Sequence, residues 1–321
     1  MRLAAFALLC CLSFSALAAP PTPAPAGPLD AAAHALALAR RIPIARKALH
    51  ECRLAAAAIK DDPLRAAVES QLQAPWLAPD AFAYVHPAEA EAQLRRAGLL
   101  GPDEKLALPI SGKGNFASAP GGACPSGHHA YPGGLAVHTW ANLLHARSLA
   151  ADYKTVYGVH LNDDWLVAAT LWHDTGKAAT LQWHDDAGCG PEPLLARTPL
   201  HHILGIAAAI LKHLPSPLVV VIASAHAPPF AASNADLCGY LKAGGILATG
   251  DAAAVPCPSL AKDAPRPPIE AYVENLSDAD FVFTVPAWDW YQSQIGTGWA
   301  RFEALIQDGS DVSRWHEAQL R

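Results

Sequence analysis

The feature that most limits the fold is a series of histidines and aspartates separated by one helix and a turn. His138, His173-Asp174, His201, His226 and Asp251 lie 35 (138 to 173), 27 (174 to 201), 25 (201 to 226) and 25 (226 to 251) residues apart. Between them apolar residues recur at three- and four-residue intervals, the period of a buried helical face. The pattern predicts helices near 134–151, 162–174, 199–213, 217–227 and 236–251. His138 falls in the first turns of its helix and the others at or near helix ends. One such residue per helix can converge on a common centre, which is how metal sites in bundle cores are built.

The residue types suit that role. Imidazole and carboxylate together hold zinc, manganese, iron and other first-row ions. A carboxylate also bridges two ions, and Asp174, beside a histidine at a helix end, is the natural bridge. Adjacent helical residues point about 100° apart, so Gly176 reads as a backbone break that lets both side chains turn inward. His145, His160, His184, His202 and His213 read as structural or surface residues. Leu218 to Ile222 has strand propensity, but its flanking proline and helical surroundings favour a buried helix.

Two segments carry a resemblance. Gly134-Leu135-Ala136-Val137-His138-Thr139, followed by Leu171-Trp172-His173-Asp174-Thr175-Gly176-Lys177, resembles the H…HD signature of the HD-domain superfamily of metal-dependent phosphohydrolases. The stretch His128-His129-Ala130-Tyr131-Pro132-Gly133-Gly134-Leu135 is similar to the start of the catalytic domain in HD-type 3′–5′ exoribonucleases. His201, four residues before Gly205, matches the third-helix histidine. His226 and Asp251 match the closing positions of the binuclear subtype. Relatives often carry a His-His pair where this chain has Ala225-His226.

The resemblance implies an all-α HD-domain bundle that hydrolyses a phosphate ester through water activated between two divalent ions. His138, His173, Asp174 and Asp251 would hold one ion; Asp174, His201 and His226 would hold the other. Asp174 and Lys177 would be catalytic, and Lys177, Arg197 and His129 would contact substrate. A di-iron oxygenase on the same scaffold, or a non-catalytic exported protein stabilised by metal, are the other readings.

The remaining sequence sets the surroundings. Met1-Arg2, an apolar run from Leu3 to Ser15 and Ala16-Leu17-Ala18 form the three-part pattern of a secretory signal peptide over residues 1–18. Export to the periplasm or medium is therefore expected, with no membrane span after cleavage. Residues 19–28 are a proline-rich leader that cannot be helical. Residues 29–107 read as a helical N-terminal portion, with helices broken at Ile42-Pro43 and others near 63–73 and 87–98. Residues 108–260 form the expected metal-binding core, and 261–321 form C-terminal helices packed on it. The tail aromatics, from Phe281 to Phe302, read as core packing.

Ser111-Gly112-Lys113-Gly114 fails the phosphate-loop spacing, because Ala107 and Gly114 stand where glycine and a hydroxyl are needed. The net charge of −6 argues against non-specific nucleic-acid binding and for a small phosphate-ester substrate. Five cysteines follow the leader. An oxidising compartment permits disulfides, and Cys124 with Cys189, or Cys238 with Cys257, are possible pairs; an odd count leaves one thiol, and Cys52 is the remaining cysteine.

Overall fold

A computed structural model describes residues 30–73, 86–108 and 114–308. The proposed signal peptide and leader lie outside these residues, as do Ser111 to Lys113 and the last residues of the tail. The fold is an all-α bundle. In the N-terminal part, α1 (Ala31–Arg41) is capped by the Asp30 side chain, which accepts from the Ala33 amide. Ile42 then takes an extended conformation and Pro43 opens α2 (Pro43–Ala57). Proline is suited to this first position, where its missing N–H has no helical partner to lose. The helices α3 (Asp62–Gln73) and α4 (Pro87–Arg96) follow.

The long α5 (Gly134–Tyr157) extends six residues past the expected end at 151. Nothing stops it until Gly158, whose φ of 67° supplies the left-handed cap. Next come α6 (Asp163–Trp172), capped by Asn162, and the single turn α7 (Lys177–Thr180). A two-residue hairpin, β1 (Leu194–Leu195) with β2 (Thr198–Pro199), leads into α8 (Leu200–Leu211). The sequence reading did not include that hairpin. The valine-rich segment is helical, as expected, in α9 (Ser216–Ser224). The chain continues through α10 (Asn234–Thr249), α11 (Glu270–Ser277), α12 (Phe281–Ile295) and α13 (Arg301–Asp308).

Packing places α5 against α2, α6 and α11, while α8 lies between α9 and α10. One apolar cluster runs through the described residues from Leu38 and Ile42 to Trp288 and Phe302. Two close approaches fix the centre. A side chain on Gly244 would collide with Ile206, so α10 lies tight on α8. Gly176 itself has ordinary helical angles (φ −58°, ψ −25°); α6 already ends at Trp172, and a turn over 173–176 leads into α7. The role of Gly176 is proximity: a Cβ there would sit 2.4 Å from the His201 carbonyl oxygen. The His173-Asp174 turn is thereby pressed onto the start of α8. Gln71 supports the same turn from α3, donating to Thr175 Oγ1 at 3.0 Å.

The cysteines pair as Cys124–Cys189 and Cys238–Cys257. Cys52 is buried and unpaired, and burial pushes its thiol pKa up to about 12. No helix among the described residues is long and apolar enough to cross a membrane.

Candidate metal centre

Three helices end at the same place. His173 is the C-cap residue of α6, Asp278 that of α11, and His226 lies two residues beyond α9. His138, from the first turns of α5, and His201 and His202, from the first turn of α8, complete the gathering. Two groups of potential ligand atoms result, each within 4.8 Å of one another: Asp174, His201, His202 and His226; and His138, His173 and Asp278.

Asp174 faces both groups. Its Oδ2 is 3.1 Å from His138 Nε2 and 3.5 Å from His173 Nε2. Its Oδ1 is 3.2 Å from His201 Nε2 and 3.5 Å from His226 Nε2. Asp278 is divided in the same way: Oδ1 lies 3.1 Å from His138 Nε2, and Oδ2 lies 3.4 Å from His226 Nε2. Two carboxylates, Asp174 buried and Asp278 half-buried, thus span the two histidine groups.

Burying polar atoms without partners is costly. Even so, His173 Nε2, His201 Nε2 and Asp174 Oδ1 are buried here and make no hydrogen bond. All three point into the shared space, as ligand atoms for a cation would. Oxygen and imidazole nitrogen are also the donors that first-row divalent ions take. The residues therefore fit a metal site.

Behind the ligands stand hydrogen-bond partners that fix ring orientation, a common feature of metal-binding histidines. Glu192 Oε1 lies 2.6 Å from His201 Nδ1 and also accepts the His201 amide at 2.9 Å. His173 Nδ1 is 3.0 Å from the Thr170 carbonyl oxygen, and wholly buried Glu274 lies 3.5 Å from the same nitrogen while accepting from Thr170 Oγ1 at 2.7 Å. Asn142, one turn after His138, donates to Asp278 Oδ1 at 2.8 Å. Thr198 Oγ1 is 2.5 Å from His202 Nδ1, which leaves Nε2 for the cluster, and the His202 ring stacks on His226 at 3.4 Å. The sequence reading missed Glu192, Glu274, Asn142, His202 and Asp278. Only Asn142, four residues after His138 on the same helical face, had a periodic signal that could have found it.

Five of the six expected ligands, His138, His173, Asp174, His201 and His226, are brought together. Asp251 is not. Gly250 ends α10 in the left-handed conformation, after which Asp251 is exposed and accepts the Ala253 amide at 2.8 Å. Asp278, the C-cap of α11, lies beside His138 and His226 instead. Arg197 also stands apart: its side chain is 87% exposed and faces Asp236 at 3.4 Å. The hairpin explains this, since Ala196 and Arg197 both have positive φ (53° and 63°), the geometry of a tight two-residue turn. Lys177 is inside the cluster, donating to Asp174 Oδ2 at 2.5 Å. His129 is buried at its edge, with Nε2 2.8 Å from Asp280 Oδ2 and Nδ1 2.8 Å from Tyr131 Oη.

Charges in the cluster are strongly coupled. Burial opposes ionisation of Asp174, but the Lys177 ammonium and the His173 imidazolium override it and hold the carboxyl well below its usual range. Burial likewise disfavours charge on His138, yet hydrogen bonding to Asp174 and Asp278 wins and raises its pKa to about 9. Glu274 goes the other way: burial raises its pKa to about 7.

That shift has a measurable sign. A carboxyl whose pKa is higher folded than unfolded contributes stability below its unfolded pKa and loses it as pH rises through the folded value. In chelator-treated protein, Glu274→Gln should therefore match the parent near pH 4 and gain relative melting temperature as pH climbs from about 4.5 to 7. A parallel pair of melting curves across that range would show that burial does not raise the Glu274 pKa.

No protein-family model matches the chain, and no solved structure matches it. The chain is similar to the dihydroneopterin 2′,3′-cyclic phosphate phosphodiesterase of Methanocaldococcus jannaschii, with 29% identity over 99 residues. The likeness covers 31% of this chain and 39% of that protein, so less than half of the relative's length is matched. A distant likeness to a phosphodiesterase and a buried cluster able to hold metal together fit a metal-dependent phosphohydrolase.

Proposed function

We propose that this chain is an exported HD-type phosphodiesterase with a two-metal centre, acting on a small nucleotide-like phosphate ester. The observation that carries the reading is the division of Asp174 and Asp278, each presenting one oxygen to either histidine group. His138, His173 and Asp278 would hold one ion and His201, His202 and His226 the other, with Asp174 shared. Divalent ions so held acidify a bound water and neutralise charge on phosphoryl oxygens.

The chain's own residues prepare the site for that chemistry. Glu192 and the Thr170 carbonyl hold His201 and His173 in orientation, so little reorganisation accompanies binding. Lys177 offsets the Asp174 charge, and His138, His173, Asp174 and His201 are all buried. Export is supported by the N-terminal signal pattern and by two disulfides, which persist in oxidising compartments.

The test is release of p-nitrophenolate from bis(p-nitrophenyl) phosphate. Protein stripped with a chelator should be inactive, and manganese or zinc should restore turnover at about two ions per chain. Full occupancy without turnover on this or a cyclic nucleotide would sink the reading. Oxygen consumption by the iron-loaded protein would replace it with the di-iron alternative.

A further inference from the structure

At the start of α12, three consecutive apolar residues face outward: Phe281 is 46%, Val282 68% and Phe283 41% exposed. Later aromatics of the same segment, Trp288, Tyr291 and Phe302, are buried as expected. The exposed ones are thus an exception within a helix that otherwise packs normally. Their position is also fixed, because the preceding residue is held in the cluster: Asp280 Oδ2 is 2.8 Å from His129 Nε2 and 3.9 Å from His138 Nδ1.

Phe281 stands at the rim of the metal centre. Its ring centroid is 6.4 Å from that of His128, which in turn lies 4.4 Å from that of His138. His128 is half-buried, and its Nδ1 is buried without a hydrogen-bond partner. From candidate ligand outward, the order is His138, then an imidazole with an unused polar atom, then an exposed phenyl ring. A ligand with a phosphate at the cluster and a planar ring system attached would meet those groups in that order.

We propose that Phe281, with His128 beneath it, is the platform that receives the heterocyclic base of the substrate. This rests on the phosphodiesterase reading and adds to it the residue that distinguishes a nucleotide from a simple sugar phosphate. Stacking on an aromatic side chain accepts any planar base and is worth roughly tenfold or more in affinity.

Adenosine 5′-monophosphate and ribose 5-phosphate share the phosphate and the sugar and differ in the base, so they isolate the contribution. Titration calorimetry on metal-loaded protein should show the nucleotide binding about tenfold more tightly. Phe281→Ala and Phe281→Leu should each bring the nucleotide down to the level of ribose 5-phosphate. Metal content and the affinity for ribose 5-phosphate should stay at parent values. Equal binding of the two compounds by the parent protein, or equal weakening of both in the variants, overturns the platform while leaving the metal-site reading standing. If neither compound binds and no diester is hydrolysed, both readings fall together.

Discussion

Asp174→Asn should reduce bound metal from about two ions per chain to less than one and lower diester turnover by at least about a thousandfold. A shared carboxylate is lost to both groups at once, and the several kcal/mol that ions supply to phosphoryl transfer go with it; each 1.36 kcal/mol is about tenfold in rate. Stability should suffer separately. Lys177 is buried with its ammonium on Asp174, and removing one partner of such a pair costs about 3–5 kcal/mol. Adding Lys177→Met should restore much of the melting temperature without restoring metal, because it removes the stranded charge but supplies no ligand. Elemental analysis and thermal melts of both variants distinguish the two effects. Two tightly held ions in Asp174→Asn would disprove the bridging role.

Asp278→Ala and Asp251→Ala should behave very differently. Asp278 contacts three of the clustered histidines, so its loss should cost about one ion per chain and at least a hundredfold in turnover, on the same metal contribution. Asp251 caps a surface turn, and its alanine variant should keep full metal and lose no more than about 1 kcal/mol, the worth of one exposed hydrogen bond. The opposite pattern would return Asp251 to the site and remove Asp278.

These two aspartates show how far the sequence could be read. Amphipathic periodicity locates the helices from α1 to α10 other than the single turn α7, and local cues such as Ile42-Pro43 set their breaks. The ligands on α5, α6, α8 and α9 were legible because consecutive packed helices bring their ends together at regular intervals. Asp251 satisfies that interval but not the geometry: α10 ends at Gly250, and Asp251 beyond it is exposed. Asp278 comes 52 residues after His226 (278 minus 226), with all of α10 between, and no period predicts such a return.

Glu192 and Glu274 were hidden for a related reason. A carboxylate that approaches a histidine from another element leaves no local pattern in the sequence. His202 reads as structural in the sequence because the spacing of four residues before Gly205 selects His201. At the first turn of α8 the two rings lie with centroids 4.2 Å apart, and both reach the cluster. Arg197 was placed one helical turn before His201, and the hairpin turned it outward instead. Phe281 was grouped with the buried aromatics because composition alone does not say which end of α12 is covered.

The convergence of the ends of α6, α9 and α11 has an electrostatic consequence. A helix carries about half a negative charge at its C-terminus, so three such ends make the backbone itself favour positive charge at this point. Protons and metal ions compete for that favourable field. In the metal-free protein His138 retains its proton to about pH 9, and a ligand nitrogen must lose its proton to coordinate. Metal loading would therefore be an exchange of protons for cations, and acidification of the surroundings would favour release of the ions.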